Sequence, residues 1–225
     1  MQKRKLGRGV AVVGAGMSKF GMFKDKDSKY LFFEGFKECL ESVDKGIDPA
    51  DIQAMWLGNF TNDFFVHQGH WGPIIADLIG LAPRPVTRTE GACAASTLAL
   101  KDAAYSIASG MYDIVLAGGV EEMSKCSTAE ATEGLALAGS PYESQLGFTF
   151  PGVFATISTA YFNKYGATHE DLENITIKSH NNGRLNPKAQ FNVSIRDIMN
   201  SRIERARKKG EPVPTWKDEK EALRD

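Results

Sequence analysis

From Ala94 to Ser109 nearly every position is small or aliphatic, and the polar residues Lys101, Tyr105 and Ser109 recur at a spacing of four, so a helix here is wet only along a narrow stripe. After Gly110 the run Asp113-Ile-Val-Leu-Ala reaches Gly118-Gly119, an almost uniformly apolar strand of the kind buried on both faces. A helix covered nearly all round and a strand of this type fit an α/β fold, an open and mostly parallel sheet with helices on its faces. The strand is expected at the sheet's centre.

The same alternation of strand and helix runs back to residue 9. Val10–Val13 is a short β-branched run stopped by Gly14 and Gly16. Ser28 precedes a helical stretch from Lys29 to Val43, and Asp48-Pro49 turns the chain. Ala54 to Leu57 reads as a strand, Gly69 to Ile79 as a helix closed by Gly80, and Val86–Thr89 as a strand opened by Pro85, a residue tolerated at a strand's start. Beyond Ser124 the composition shifts to Ser, Thr, Gly and Pro with scattered aromatics, followed by a helical stretch from Val153 to Tyr165. This reads as a subdomain inserted over the sheet. The charged tail from Asp197 to Asp225 stops without a helix stop signal and reads as cut short.

With 27 Lys+Arg against 28 Asp+Glu and no single-sign block before residue 202, the chain offers no electrostatic case for a nucleic-acid partner. The apolar run after the basic opening, VAVVGAG, is too short for a signal core or a membrane span. Cys39, Cys93 and Cys126 are sparse and lack zinc-like spacing, which argues against a disulfide scaffold and for a reducing compartment. The expectation is a soluble cytoplasmic protein.

The strongest chemical candidate is Gly91-Ala92-Cys93-Ala94-Ala95-Ser96, which sets a cysteine between a strand end and the first turn of a helix. The helix dipole and first-turn N–H groups favour a thiolate there, and the same N–H groups can hold an oxyanion when a thioester is attacked. Its small neighbours leave a substrate room to approach, although free cysteines are also commonly small buried core residues. Other signals are weaker. Val13-Gly-Ala-Gly-Met-Ser-Lys19 has Lys19 where a dinucleotide fingerprint needs its third glycine. His67 and His70 could share a helical face but have no third ligand nearby, so no metal is expected. Cys39 reads as core and Cys126 as a loop residue. The basic run from Arg202 to Lys209 reads as a solvated helix face, with the phosphates of coenzyme A as a minority alternative.

Glu90-GACAAS, followed by Leu116-AGGVEEMS, resembles the thiolase superfamily, in particular its archaeal-type and sterol-carrier-type branch. Phe150-Pro-Gly-Val-Phe, Tyr161-x-x-x-Tyr165-Gly-Ala-Thr and Lys178-SHNNGRLNPKAQF are similar to the loop-domain sequence of that branch. The resemblance implies one thiolase-like βαβαβαββ half plus an inserted loop subdomain. The domains are then an N-terminal α/β half over 1–124, a loop domain contacting coenzyme A over 125–195, and the charged helical tail over 196–225. It implies that Cys93 is the catalytic nucleophile, taking an acyl group from acyl-CoA or 3-oxoacyl-CoA with no cofactor beyond the coenzyme A thioester substrate. His180 would belong to the loop domain rather than pair with Cys93. The strand Val86 to Thr89 would pair with its two-fold mate in a dimer or higher homo-oligomer.

The family's second-half motifs, NEAF-like or HDCF-like, GHP and CxGG, do not occur here, so the chain alone is expected to fall short of full turnover. A separate C-terminal thiolase half is a candidate partner. Ala95-Ser96 also departs from the Ser-Gly that close relatives carry after Cys-Ala. Two other readings stand beside this one: a decarboxylating condensing enzyme of the ketoacyl synthase type, and a non-catalytic structural subunit.

Overall fold

A computed structural model describes residues 7–225; the first part of the basic opening, up to residue 6, lies outside the described residues. The chain forms two compact units, one of residues 7–18 with Met22–Phe148, the other of Lys19–Gly21 with Thr149–Asp225.

The first unit holds α1 (Ser28–Glu41), β1 (Ala54–Gly58), α2 (Asn62–Phe65), α3 (Trp71–Leu78), β2 (Val86–Thr89), α4 (Ala95–Ala108), β3 (Val115–Gly119), α5 (Thr128–Ala136) and α6 (Pro141–Gln145). Its sheet is parallel throughout the described residues, in the order β2-β1-β3. Gly58 of β1 stands level with Thr89 of β2 and with Gly119 of β3, so all three strands end at one edge. Side chains alternate between the two faces of a strand. Met55 and Leu57 therefore share one face, where they pack with Phe32 and Phe36 of α1 and Trp71, Ile75 and Ala76 of α3. The opposite face carries α4, which buries the small stripe Ala95, Ala99 and Ala103.

Two expectations are corrected here. The central strand is β1, with Leu57 fully buried, whereas β3 lies at an edge and is only half-buried. Uniform apolarity reports covered faces and is silent on lateral order. Nor do residues 10–13 form a strand; Val12 is 77% exposed and Val13 62% exposed. The segment that follows lies instead against α1, where Ala15 N donates to Ser42 Oγ at 2.8 Å and Met17 N to Glu38 Oε2 at 2.6 Å. Gly14 and Gly16 permit that approach, because a Cβ on Gly16 would collide with the backbone of Gly35 and Cys39.

The second unit is helical: α7 (Phe150–Tyr165), α8 (His169–Gly183), α9 (Ile195–Lys209) and α10 (Glu219–Arg224). Thr149 caps α7, and Gly166, in the left-handed region at φ 71°, ends it. Ser194 and Asp197 form a reciprocal capping box at the head of α9. Ion pairs hold α10: Arg224 grips Glu173 at 2.6 and 2.7 Å, Lys220 meets Glu170, and Arg196 meets Glu219 at 3.1 Å. No helix among the described residues is long and apolar enough to cross a membrane.

Candidate active site

The chain leaves β2 at Thr89 and turns through Glu90-Gly91 into a single 3-10 turn, Ala92–Ala94, that runs directly into α4. Cys93 sits in the middle of this turn and is exposed. Ala92 has φ 47°, in the left-handed region where a Cβ is disfavoured by about 1–2 kcal/mol. The Glu90 carboxylate holds it there by accepting from Ala92 N at 2.6 Å. Ala94 N is bonded to Gly91 O and Ala95 N to Ala92 O, so these amides are already engaged. The fixed positive field at Cys93 therefore comes mainly from the aligned peptides of the 14-residue α4.

Two glycines seat this helix. A Cβ on Gly58 would lie 2.5 Å from Ser96 Cα and 2.7 Å from Ala95 C, and one on Gly119 would strike Ser96 Oγ and lie 2.6 Å from Gly58 O. The first turn of α4 thus rests on the backbone at the ends of β1 and β3. Thr89 Oγ1 ties the remaining strand to it, donating to Ala95 O at 3.2 Å.

Beyond the last paired residues, side chains and single backbone bonds together join the strand ends, Val120 N donating to Gly58 O at 3.3 Å. Asn59 Nδ2 donates to Val120 O at 2.7 Å, and Asn59 N to Thr89 O at 3.2 Å. The Glu121 carboxylate accepts from two successive amides, Phe60 N at 2.7 Å and Thr61 N at 3.0 Å. Burial pushes its carboxyl above the ordinary glutamate range, against the opposing pull of those amides. On the other side of the same loop Arg88 grips Asp63 at 2.8 and 2.6 Å and donates to Phe60 O at 3.1 Å. Those bonds hold the Asp63 carboxyl below the usual carboxylate range. Glu122, 3% exposed, accepts from Ser28 N and Ser28 Oγ at 2.7 and 2.8 Å and pairs with Lys125, fixing the start of α1. Asn62 completes the set, donating to Ser28 Oγ and accepting from Glu122 N, both at 3.0 Å. This polar network went unread in the sequence. Its only signal there was the run Asn59-Phe-Thr-Asn62 directly after a strand, together with the adjacent acids of GVEEMS.

The remaining sequence candidates lie elsewhere. Cys39 and Cys126 are half-buried, and burial raises both thiols; Cys126 Sγ donates to Phe65 O at 3.3 Å. His180 is on α8, in the second unit, with Nδ1 3.0 Å from Val193 O. Arg202 and Arg205 of α9 line a shallow cavity of about 240 Å3 with Val193, Asp197, Ile198 and Ser201. Among the described residues no cluster of His, Cys, Asp and Glu is arranged to hold a metal ion.

The acetyl-CoA acetyltransferases of Methanothermobacter thermautotrophicus and Methanocaldococcus jannaschii are each 38% identical to this chain over 197 residues, which is 86% of it. The match covers 50% and 49% of those proteins, so the chain spans about half the length of the curated relatives it matches. Among solved structures, the Ltp2-ChsH2(DUF35) aldolase superposes with a TM-score of 0.57 at 19% identity, over 80% of this chain and 45% of that one; the likeness is one of fold. Residues 10–218 match the family described as thiolase, N-terminal domain, and the protein belongs to that family.

Proposed function

We propose that this chain carries the acyl-accepting half of a thiolase-type acyltransferase, with Cys93 as the nucleophile. The observation that carries the reading is an exposed thiol at the head of a seated 14-residue helix, on a turn whose neighbours are all small. In the reaction the Cys93 thiolate attacks the carbonyl carbon of an acyl-CoA. A bond forms from Sγ to the acyl carbon, the bond from that carbon to the sulfur of coenzyme A breaks, and the departing thiolate takes a proton. The attacking sulfur lies at the positive end of α4.

Condensation or thiolysis further needs a base placed at the reacting carbon or thiol. In this reading a second thiolase half, on the same or another chain, supplies it and packs on the outer face of α4. Leu100 and Tyr105 of that face are 54% and 56% exposed, a wider wet surface than the composition of the helix calls for. The segment 125–195 is read as the loop domain contacting coenzyme A and 196–225 as a charged helical extension of it. The free edge of β2 pairs with a second copy, and the protein works on fatty or related acyl thioesters in the cytoplasm.

The test is to incubate the chain with acetyl-CoA and follow free thiol release and intact mass, with Cys93→Ala and Cys39→Ala alongside. Acetylation at Cys93, lost only in Cys93→Ala, is the expected result; no adduct on Cys93 refutes the reading and favours a structural subunit. Acetoacetyl-CoA cleavage is expected only once a second half is supplied. Sedimentation as a stable monomer at micromolar concentration would refute the pairing through β2.

A further inference from the structure

The last ladder level, Gly58 with Thr89 and Gly119, is also the floor beneath the first turn of α4. Past that level one backbone bond on each side continues the pairing, Val120 N to Gly58 O at 3.3 Å and Asn59 N to Thr89 O at 3.2 Å, before the chain passes into loops. The side chain that spans the gap from β3 is Glu121, whose two carboxylate oxygens take the Phe60 and Thr61 amides in a two-point grip. The same loop is held from β2 by Arg88, through Phe60 O, Gly69 O and the two oxygens of Asp63. Arg88 stands five residues before Cys93 on the strand that delivers it. The carboxylate takes one amide at each oxygen; a carboxamide in the same pose turns its own N–H groups toward one of them.

We propose that Glu121 is a positioning residue for Cys93, extending the contact between β1 and β3 beyond the ladder and so fixing the glycine seat on which the cysteine-bearing turn rests. The inference rests on the reading of Cys93 as the acyl acceptor, and its effect is exerted through the seat rather than by contact with a substrate. The charged groups facing Glu121 are Arg88 from β2 and Asp63 from α2, and Glu90 lies on the cysteine's own loop.

The experiment is the rate of Cys93 alkylation by iodoacetamide across pH, read by mass spectrometry on the full chain, for wild type and Glu121→Gln. Loosening the seat misaligns the first turn that carries the thiol, so the profile should move to higher pH, read as a roughly threefold slower reaction below the midpoint with the high-pH plateau retained. Removing a negative charge with the seat intact moves the midpoint the other way. A merely structural role lowers the melting temperature and leaves the profile in place. A downward or absent shift therefore overturns the proposal. Should Glu121→Gln fail to fold, Glu121→Asp, whose carboxylate keeps its charge but is one methylene too short to reach both amides, should show the same upward shift in smaller measure, and an unmoved profile there overturns it equally. If wild-type Cys93 is not labelled ahead of the other thiols, it is the reading of Cys93 that fails rather than the role of Glu121.

Discussion

Replacing Gly58 by alanine tests the seat itself. The added methyl would meet Ser96 Cα at 2.5 Å and Ala95 C at 2.7 Å, where ordinary contact begins at 3.4 Å. Both atoms are helix backbone, so no rotamer change relieves the clash, and the head of α4 must lift by roughly 1 Å. Overpacking of this kind costs about 1–3 kcal/mol, against which the less flexible unfolded chain returns about 0.4–1 kcal/mol. A net loss of about 1–2 kcal/mol is expected, with slower alkylation of Cys93 as the turn tilts. Gly118→Ala on the other face is the control: its methyl meets only the Phe32 ring, at 3.1 and 3.4 Å, and the ring can give by a few tenths of an ångström. Urea unfolding of the two variants beside wild type, with Cys93 labelling on the same samples, decides the matter. Equal stability and equal labelling for the two alanine variants would refute the backbone-on-backbone seat.

Three further outcomes follow from the same geometry. Iodoacetamide should modify Cys93 before Cys39 and Cys126, because Cys93 is exposed while burial shields the other two and raises their thiols; peptide mapping at short times reads the order. Ala92→Val should cost about 2 kcal/mol or more, a β-branched side chain being strained at φ 47°, whereas Ala92→Gly should stay within about 1 kcal/mol of wild type, both read by thermal melting. The bonds from Arg88 lower the Asp63 carboxyl, so their contribution is fully present above the unfolded value near 3.8 and is lost as pH falls through the lower folded value. Asp63→Asn should therefore cost at most about 1 kcal/mol at neutral pH, the pair being partly exposed, and the difference from wild type should close as pH falls through that lower folded value.

What could be read from the sequence was local. β2 occupies the expected Val86–Thr89, and α4 begins within a residue of its expected start, because a proline, a glycine break and a run of small residues are visible without knowing the fold. The position of Cys93 between strand and helix follows from those same breaks. Strand order is different in kind: whether β1 or β3 is central depends on pairing across the sheet, which composition does not encode. Residues 10–13 look like a strand because β-branched residues favour one, yet the glycines after them serve an approach to α1 made by residues some twenty positions away. Alanine carries no mark of a left-handed conformation, so the strain at Ala92 was invisible. The grip of Glu121 joins residues 61 apart, and only the folded chain brings them together.

The attachment of α10 has a consequence for how the second unit behaves in solution. None of its residues is fully buried, and its hold on α8 and α9 runs through Arg224, Lys220 and Arg196, each with a partly or fully exposed partner. Apolar contacts strengthen or persist as salt is added, while pairs of this kind weaken once the screening length falls to about 3 Å near 1 M. Raising ionic strength should thus peel α10 away while α7, α8 and α9 keep their hydrogen bonds, and a brief trypsin pulse should then cut at Lys217 and Lys220 before it reaches the body of α9. The last fifteen residues would report ionic strength, and the helices they lie against would not.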